Sequence, residues 1–215
     1  MPQHAEYADT RAAILAKARE LFLSQGYHKT AMRTIAQAAG VSTGPLYFHF
    51  ANKAEVFFHI CGEAFDTLIT AFRQAAASEE RAGLRLRNMY CAYQGFYYHE
   101  PQLFEIMHLA TDPLAGIDLP DNLQQILSHK SLELVEIMED VIRQGVERGE
   151  LRSVEPRKLA LYLHSVAEGV FLSSRSGLLQ RSGVGLDEMI ETAINLIGLG
   201  MIGVSHIGEN RDKNS

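Results

Sequence analysis

The sequence predicts an all-α fold. Apolar residues recur three and four positions apart along most of the chain, the period of helix faces packed on a core. No stretch alternates apolar and polar residues over the length of a strand. Glycine, proline and side-chain oxygens fall between the periodic runs, where helices stop and start. About nine helices are expected, in an N-terminal domain (residues 1–55) and a C-terminal one (56–208), with a disordered polar tail at 209–215.

Met1 to Ala8 is polar and is expected to fray. From Thr10 to Ser24, Ile14, Leu15, Ala18, Leu21 and Phe22 form one stripe, which Gln25-Gly26 stops. Thr30 precedes a second run (Met32, Ile35, Ala36, Ala39) and reads as its N-cap. Gly40 ends that short helix, because glycine adopts the left-handed conformation of a sharp C-terminal turn. Val41 is an apolar plug, Ser42 a second N-cap candidate, and Pro45 sits in a first turn, where its missing N–H costs little. In the helix from about Thr43 to His49, Leu46 and Phe50 lie four apart and anchor one face.

Two short helices joined by a glycine turn describe a helix-turn-helix. No Asp or Glu occurs from Met32 through Lys53, so a polyanion can approach without repulsion. Arg33, Tyr47, His49 and Lys53 are expected to contact phosphates. Ser42, Thr43, Gly44 and Pro45 supply hydrogen-bonding groups and close backbone approach, and Thr30 completes the expected DNA-binding set. A pair of ordinary buried helices would explain the apolar positions, but neither the missing acids nor the doubled capping.

Charge supports the division. The net charge is -6, but residues 1–55 hold six Lys/Arg against four Asp/Glu (+2), leaving fourteen against twenty-two (-8) for the remainder. A mildly basic head on an acidic body fits a DNA reader whose second domain has another job.

The segment Gly40-Val41-Ser42-Thr43-Gly44-Pro45-Leu46-Tyr47-Phe48-His49-Phe50, followed by Asn52-Lys53, resembles the signature of the TetR family of bacterial regulators. The likeness runs back to Arg11, through the first helix and its closing glycine. It departs at Phe48, where many relatives carry a polar or basic group, which leaves two orientations open there, toward DNA or packed inward. The resemblance implies a ligand-responsive regulator, typically a repressor, with an effector pocket in the C-terminal domain and a homodimer interface on its last two helices.

From Lys53 the stripe Val56, Phe57, Ile60, Ala64, Leu68, Phe72 runs for over twenty residues, a helix expected to link head to body. After the polar break Ser78 to Ala82, Leu84 through Tyr98 is helical until Glu100-Pro101. A short helix at Gln102 to His108 and a proline-containing loop follow. Asp121 is a cap candidate for a helix to about Arg148, Glu155-Pro156 starts one to about Ser176, and Leu186 starts the last, to about Val204.

In this body, Phe65, Met89, Tyr90, Tyr93, Tyr97, Phe104, His108 and Met138 suit an adaptable pocket for a small apolar or amphipathic effector; a plain core explains the same residues. Ser165, Gly169 and Ser173 lie four apart, a row that permits close helix contact, and with Ile194 and Ile197 they form the expected dimer face. Gly198, Gly200 and Gly203 have the spacing of a dinucleotide fingerprint, but they end a helical stripe and no strand precedes them. His99 and His108 lack a metal-ligand spacing, so no metal and no cofactor are expected. Cys61 and Cys91 read as reduced thiols of a cytoplasmic protein, and no apolar run is long enough for a membrane span. No nucleophile–base pair argues for an enzyme with a vestigial head. An architectural or division-related DNA binder without an effector is the remaining alternative.

Overall fold

A computed structural model of the chain describes residues 2–78, 80–112 and 115–201, with side chains omitted for 2–7 and 199–201. Among these residues there are ten α-helices and no strand. They are α1 (Pro2–Gln25), α2 (Met32–Ala38), α3 (Thr43–His49), α4 (Lys53–Ala76), α5 (Ala82–His99), α6 (Pro101–Thr111), α7 (Asp121–Glu147), α8 (Pro156–Arg175), α9 (Leu178–Ser182) and α10 (Leu186–Met201). The expected tail, 209–215, and Gly203 lie outside the described residues.

Three local expectations are corrected. The first helix begins at Pro2, not near Thr10, because nothing between Gln3 and Asp9 breaks a helix and proline suits its first position. The helix α9 is additional to those expected; five residues between Gly177 and Gly183 are too few to display a period. Asp121 is the first residue of α7 rather than its cap.

The described residues divide into two compact units. One comprises 2–70 and 94–131, the other 71–93 and 132–201. In the first, Ile14, Ala18 and Phe22 of α1, Ile35 of α2, Leu46 of α3 and Phe57 and Ile60 of α4 are essentially inaccessible. Phe104 and Ile106 of α6 are equally buried, and the Cys61 thiol faces the Ile106 carbonyl at 3.9 Å. Burial pushes that thiol's pKa far up, so Cys61 is a small core hydrophobe. Each large side chain so buried contributes about 1.5–3 kcal/mol. Lys130 of α7 pairs with Asp66 of α4 at the surface.

The second unit closes on Tyr93, Leu134, Met138, Ile142, Leu163 and Phe171. The Tyr93 and Phe171 rings meet edge to face at 4.9 Å, and the Tyr93 hydroxyl donates to the Glu168 carboxylate. The helix α7 comes so close to Ala82 that a Cβ on Gly145 would lie 2.5 Å from the Ala82 Cβ and 2.8 Å from Leu151 Cδ1. Only glycine permits that approach. The Glu150 carboxylate then accepts the Ala82 N–H at 2.6 Å, closing the amino end of α5. Glu139 receives hydrogen bonds from Arg157 and Arg143, each at 2.9 Å, and these, Arg157 foremost, hold its carboxyl below the usual range.

Candidate nucleic-acid interface and internal cavity

The turn between α2 and α3 is built by backbone hydrogen bonding. Gly40, at φ 69°, donates to the Gln37 carbonyl at 3.2 Å, and Val41 donates to the Ala36 carbonyl at 3.0 Å. This paired arrangement satisfies two orphan carbonyls of α2 and needs the left-handed residue that glycine supplies. The chain then re-enters a helix at α3, with Ser42 as its extended N-cap.

Both capping expectations change in detail. Thr30 is buried, and its hydroxyl donates to the carbonyls of Gly26 at 2.9 Å and Leu21 at 3.3 Å. The N-cap of α2 is Ala31, with no side-chain bond. Thr30 therefore fastens the end of α1. Ser42 occupies its expected position but makes no cap hydrogen bond, so its exposed hydroxyl is not used in holding α3.

Leu46 and Phe50 are buried, while Thr43, Pro45, Tyr47 and Phe48 are exposed. Ser42, Thr43, Gly44 and Pro45 are exposed, as is Arg33 on α2. Tyr47 is 55% exposed and Phe48 75%. Of the two orientations the sequence left open for Phe48, the fold takes the outward one. The signal was in the spacing, since a residue midway between two anchors four apart lies on the opposite face of a helix.

His49 is half-buried beside Arg11, a residue absent from the sequence-derived site. The Arg11 guanidinium lies 5.4 Å from the Phe50 ring centroid. Desolvation, followed by the Arg11 charge, lowers the pKa of both His49 and His59; Glu55 opposes this at His59. Long-range packing of α1 brings Arg11 here, and no local pattern announces it.

Lys53, expected at the phosphates, has internal partners instead. Its ammonium donates to the carbonyls of Tyr27 at 2.7 Å and His28 at 3.4 Å, and burial lowers its pKa. One residue earlier, Asn52 Oδ1 accepts the Glu55 N–H at 2.9 Å, and Glu55 Oε2 accepts the Ala51 N–H at 2.6 Å. This reciprocal cap fixes the start of α4 directly after α3.

The second unit contains a cavity of about 660 Å³, within the range of small-molecule sites. Met89, Tyr90, Tyr93 and Met138 of the expected pocket line it. The Tyr90 hydroxyl is buried without a hydrogen-bond partner among the described residues, and desolvation pushes its pKa up to about 12. Phe65, Tyr97, Phe104 and His108 are not lining residues. They belong to the other unit, where Phe104 packs against Tyr97 at 5.0 Å and His108 at 4.2 Å between ring centroids. An apolar-plus-aromatic composition does not separate cavity from core. Arg81, Arg87, His164 and Asn195 also line the cavity, and no motif in the sequence marks them.

Of the expected dimer face, Ser165 and Gly169 are exposed and Ser173 half-buried on α8; both serine hydroxyls donate to their own helix, at 2.8 Å. Ile194 and Ile197 line the cavity. Leu161, Tyr162 and Leu172 on α8, and Leu196 on α10, are exposed large apolar residues. No described group of His, Cys, Asp and Glu is arranged to hold a metal. No described helix is long and apolar enough to cross a membrane.

Residues 14–60 match the family described as bacterial regulatory proteins, tetR family. The HTH-type transcriptional repressor Rv1474c of Mycobacterium tuberculosis is 30% identical over 182 residues, 82% of this chain and 89% of that protein. The HTH-type transcriptional activator FasR of Mycolicibacterium smegmatis is 33% identical over 99 residues, 46% of this chain; the match spans less than half, 45%, of FasR. Among solved structures, the TetR family transcriptional regulator PfmR from Thermus thermophilus superposes with a TM-score of 0.64 at 25% identity, covering 89% of this chain and 98% of PfmR. The chain belongs to the tetR family of bacterial regulatory proteins, a family of DNA-binding transcriptional regulators rather than enzymes.

Proposed function

We propose that this chain is a ligand-responsive repressor that binds a palindromic operator as a cytoplasmic homodimer and is released by a small-molecule effector. The observation that carries the reading is the outward face of α3. Ser42, Thr43, Gly44, Pro45, Tyr47 and Phe48 are exposed on a short helix held from behind by Leu46 and Phe50, with no acidic residue on the motif. In this reading, Arg33, Tyr47 and His49 contact phosphates, while Thr43, Gly44, Pro45 and Phe48 approach base edges and thymine methyl groups. The buried Thr30 and the engaged Lys53 support this face from within. Residues 1–55 are the reading head, and 56–208 carry effector binding and dimerisation.

Two further features support the response and the dimer. The cavity is large enough for an effector, and α8 exposes Leu161, Tyr162 and Leu172 beside the Ser165 and Gly169 row. A Cβ added at Gly169 would meet nothing within 4 Å, leaving room for a second copy of the helix. A ligand with higher affinity for a conformation whose two heads misfit the operator releases DNA, with couplings typically about 1–3 kcal/mol. Sedimentation of the chain with an operator duplex tests the stoichiometry. Two chains per site are expected; one chain per site contradicts the homodimer.

A further inference from the structure

We propose that the cavity of the second unit takes an amphipathic anion: an apolar body bearing one carboxylate or phosphate head, held by Arg81 and Arg87. This rests on the reading of the cavity as an effector site. Much of the wall, including Phe72, Met89, Met138 and Leu163, offers no hydrogen-bonding partner. A ligand filling about 660 Å³ of such space is mainly apolar, because a buried polar group without a partner costs more than it gains.

The opening differs from the wall. Arg81 and Arg87 line the cavity and are solvent-exposed, which puts them at its mouth. Among the described residues, neither guanidinium has a carboxylate partner. Glu150 is the one carboxylate among the lining residues, and it is engaged by the Ala82 N–H at 2.6 Å. Two guanidiniums against one carboxylate leave one positive charge in excess. His164 and Asn195 complete the polar lining and do not reverse that sign. Guanidinium recognises carboxylate and phosphate alike, through forked charge-assisted hydrogen bonds. An apolar interior with a net positive rim therefore selects for a tail and an anionic head together.

The test is calorimetric titration of the full chain with four dodecyl probes below their micelle concentrations: dodecanoate, dodecyl phosphate, dodecanol and dodecyltrimethylammonium. At least one anion is expected to bind about tenfold or more tightly than dodecanol, the scale of a charge-assisted hydrogen bond, and the cation more weakly. The tighter anion identifies the head as carboxylate or phosphate. The double variant Arg81→Gln/Arg87→Gln is expected to abolish that advantage and leave dodecanol binding unaltered. Glu150→Gln keeps an acceptor for the Ala82 N–H but removes the opposing charge, so anion affinity rises. Anions that keep their advantage in the double variant overturn the assignment to these arginines. Equal binding of dodecanol and both anions overturns the anionic head while leaving the effector site standing. Binding of none of the probes overturns both readings.

Discussion

The Lys53 ammonium donates to the Tyr27 carbonyl at 2.7 Å and lies 4.3 Å from the centroid of the Tyr27 ring. That ring packs in turn against Phe22 at 5.4 Å and Phe57 at 5.1 Å. One cation thus joins the first turn of α4 to the loop after α1. Sequence reading makes Lys53 a phosphate ligand; the fold gives it internal partners.

Lys53→Ala separates the two roles. Loss of a charge-assisted hydrogen bond and a cation–π contact should lower stability by about 1–3 kcal/mol, measured by denaturant unfolding. The salt dependence of DNA binding should keep its slope. A slope reduced by about one would return Lys53 to the phosphate contacts.

Thr43 and Phe48 should behave as readers. Thr43→Ala and Phe48→Ala are expected to change the ranking of operator variants, each by about 1–3 kcal/mol at the base pairs they touch. Competition binding across single-base variants measures this. Uniform weakening across all variants would mean that the side chain only positions α3.

The histidines beside Arg11 give a pH dependence. The folded-state pKa values of His49 and His59 lie below the ordinary value of 6.5. As pH falls below 6.5, the unfolded chain therefore binds more protons than the folded one, and stability declines; above it, this contribution is constant. Arg11→Gln should raise both midpoints in an NMR titration, though desolvation, the larger cause, keeps them depressed. Unmoved midpoints would remove Arg11 as a contributor.

Two glycines on long helices should respond oppositely. Gly145→Ala places a Cβ against Ala82 and Leu151, and overpacking of about 1–3 kcal/mol should exceed the helix-propensity gain of about 1 kcal/mol. Gly169→Ala meets nothing within the chain, so its fold should be unharmed while self-association weakens. Thermal melts with sedimentation read both; unchanged association in Gly169→Ala takes that residue out of the dimer face.

Helix periods and the glycine turn made much of the architecture legible, because α2, α3 and α4 are specified by neighbours a few residues apart. Thr30 is ambiguous in sequence, since a hydroxyl before a helix looks the same whether it caps forward or bonds backward to Gly26. Arg11 and Lys53 depend on contacts with distant residues, Phe50 and Tyr27, that no local pattern encodes. The aromatic set divided for the same reason: Tyr93 and Phe104 have similar composition and spacing, but belong to different packing environments.

On the proposed reading, the exposed face of α3 meets DNA twice, once per chain of a dimer. Selection of bound fragments from randomised duplex DNA, followed by sequencing, tests it most directly. The expected result is a recovered palindrome whose half-sites lie about one helical turn, roughly 34–36 Å, apart. Recovery of no motif, with only salt-sensitive general binding, would contradict it.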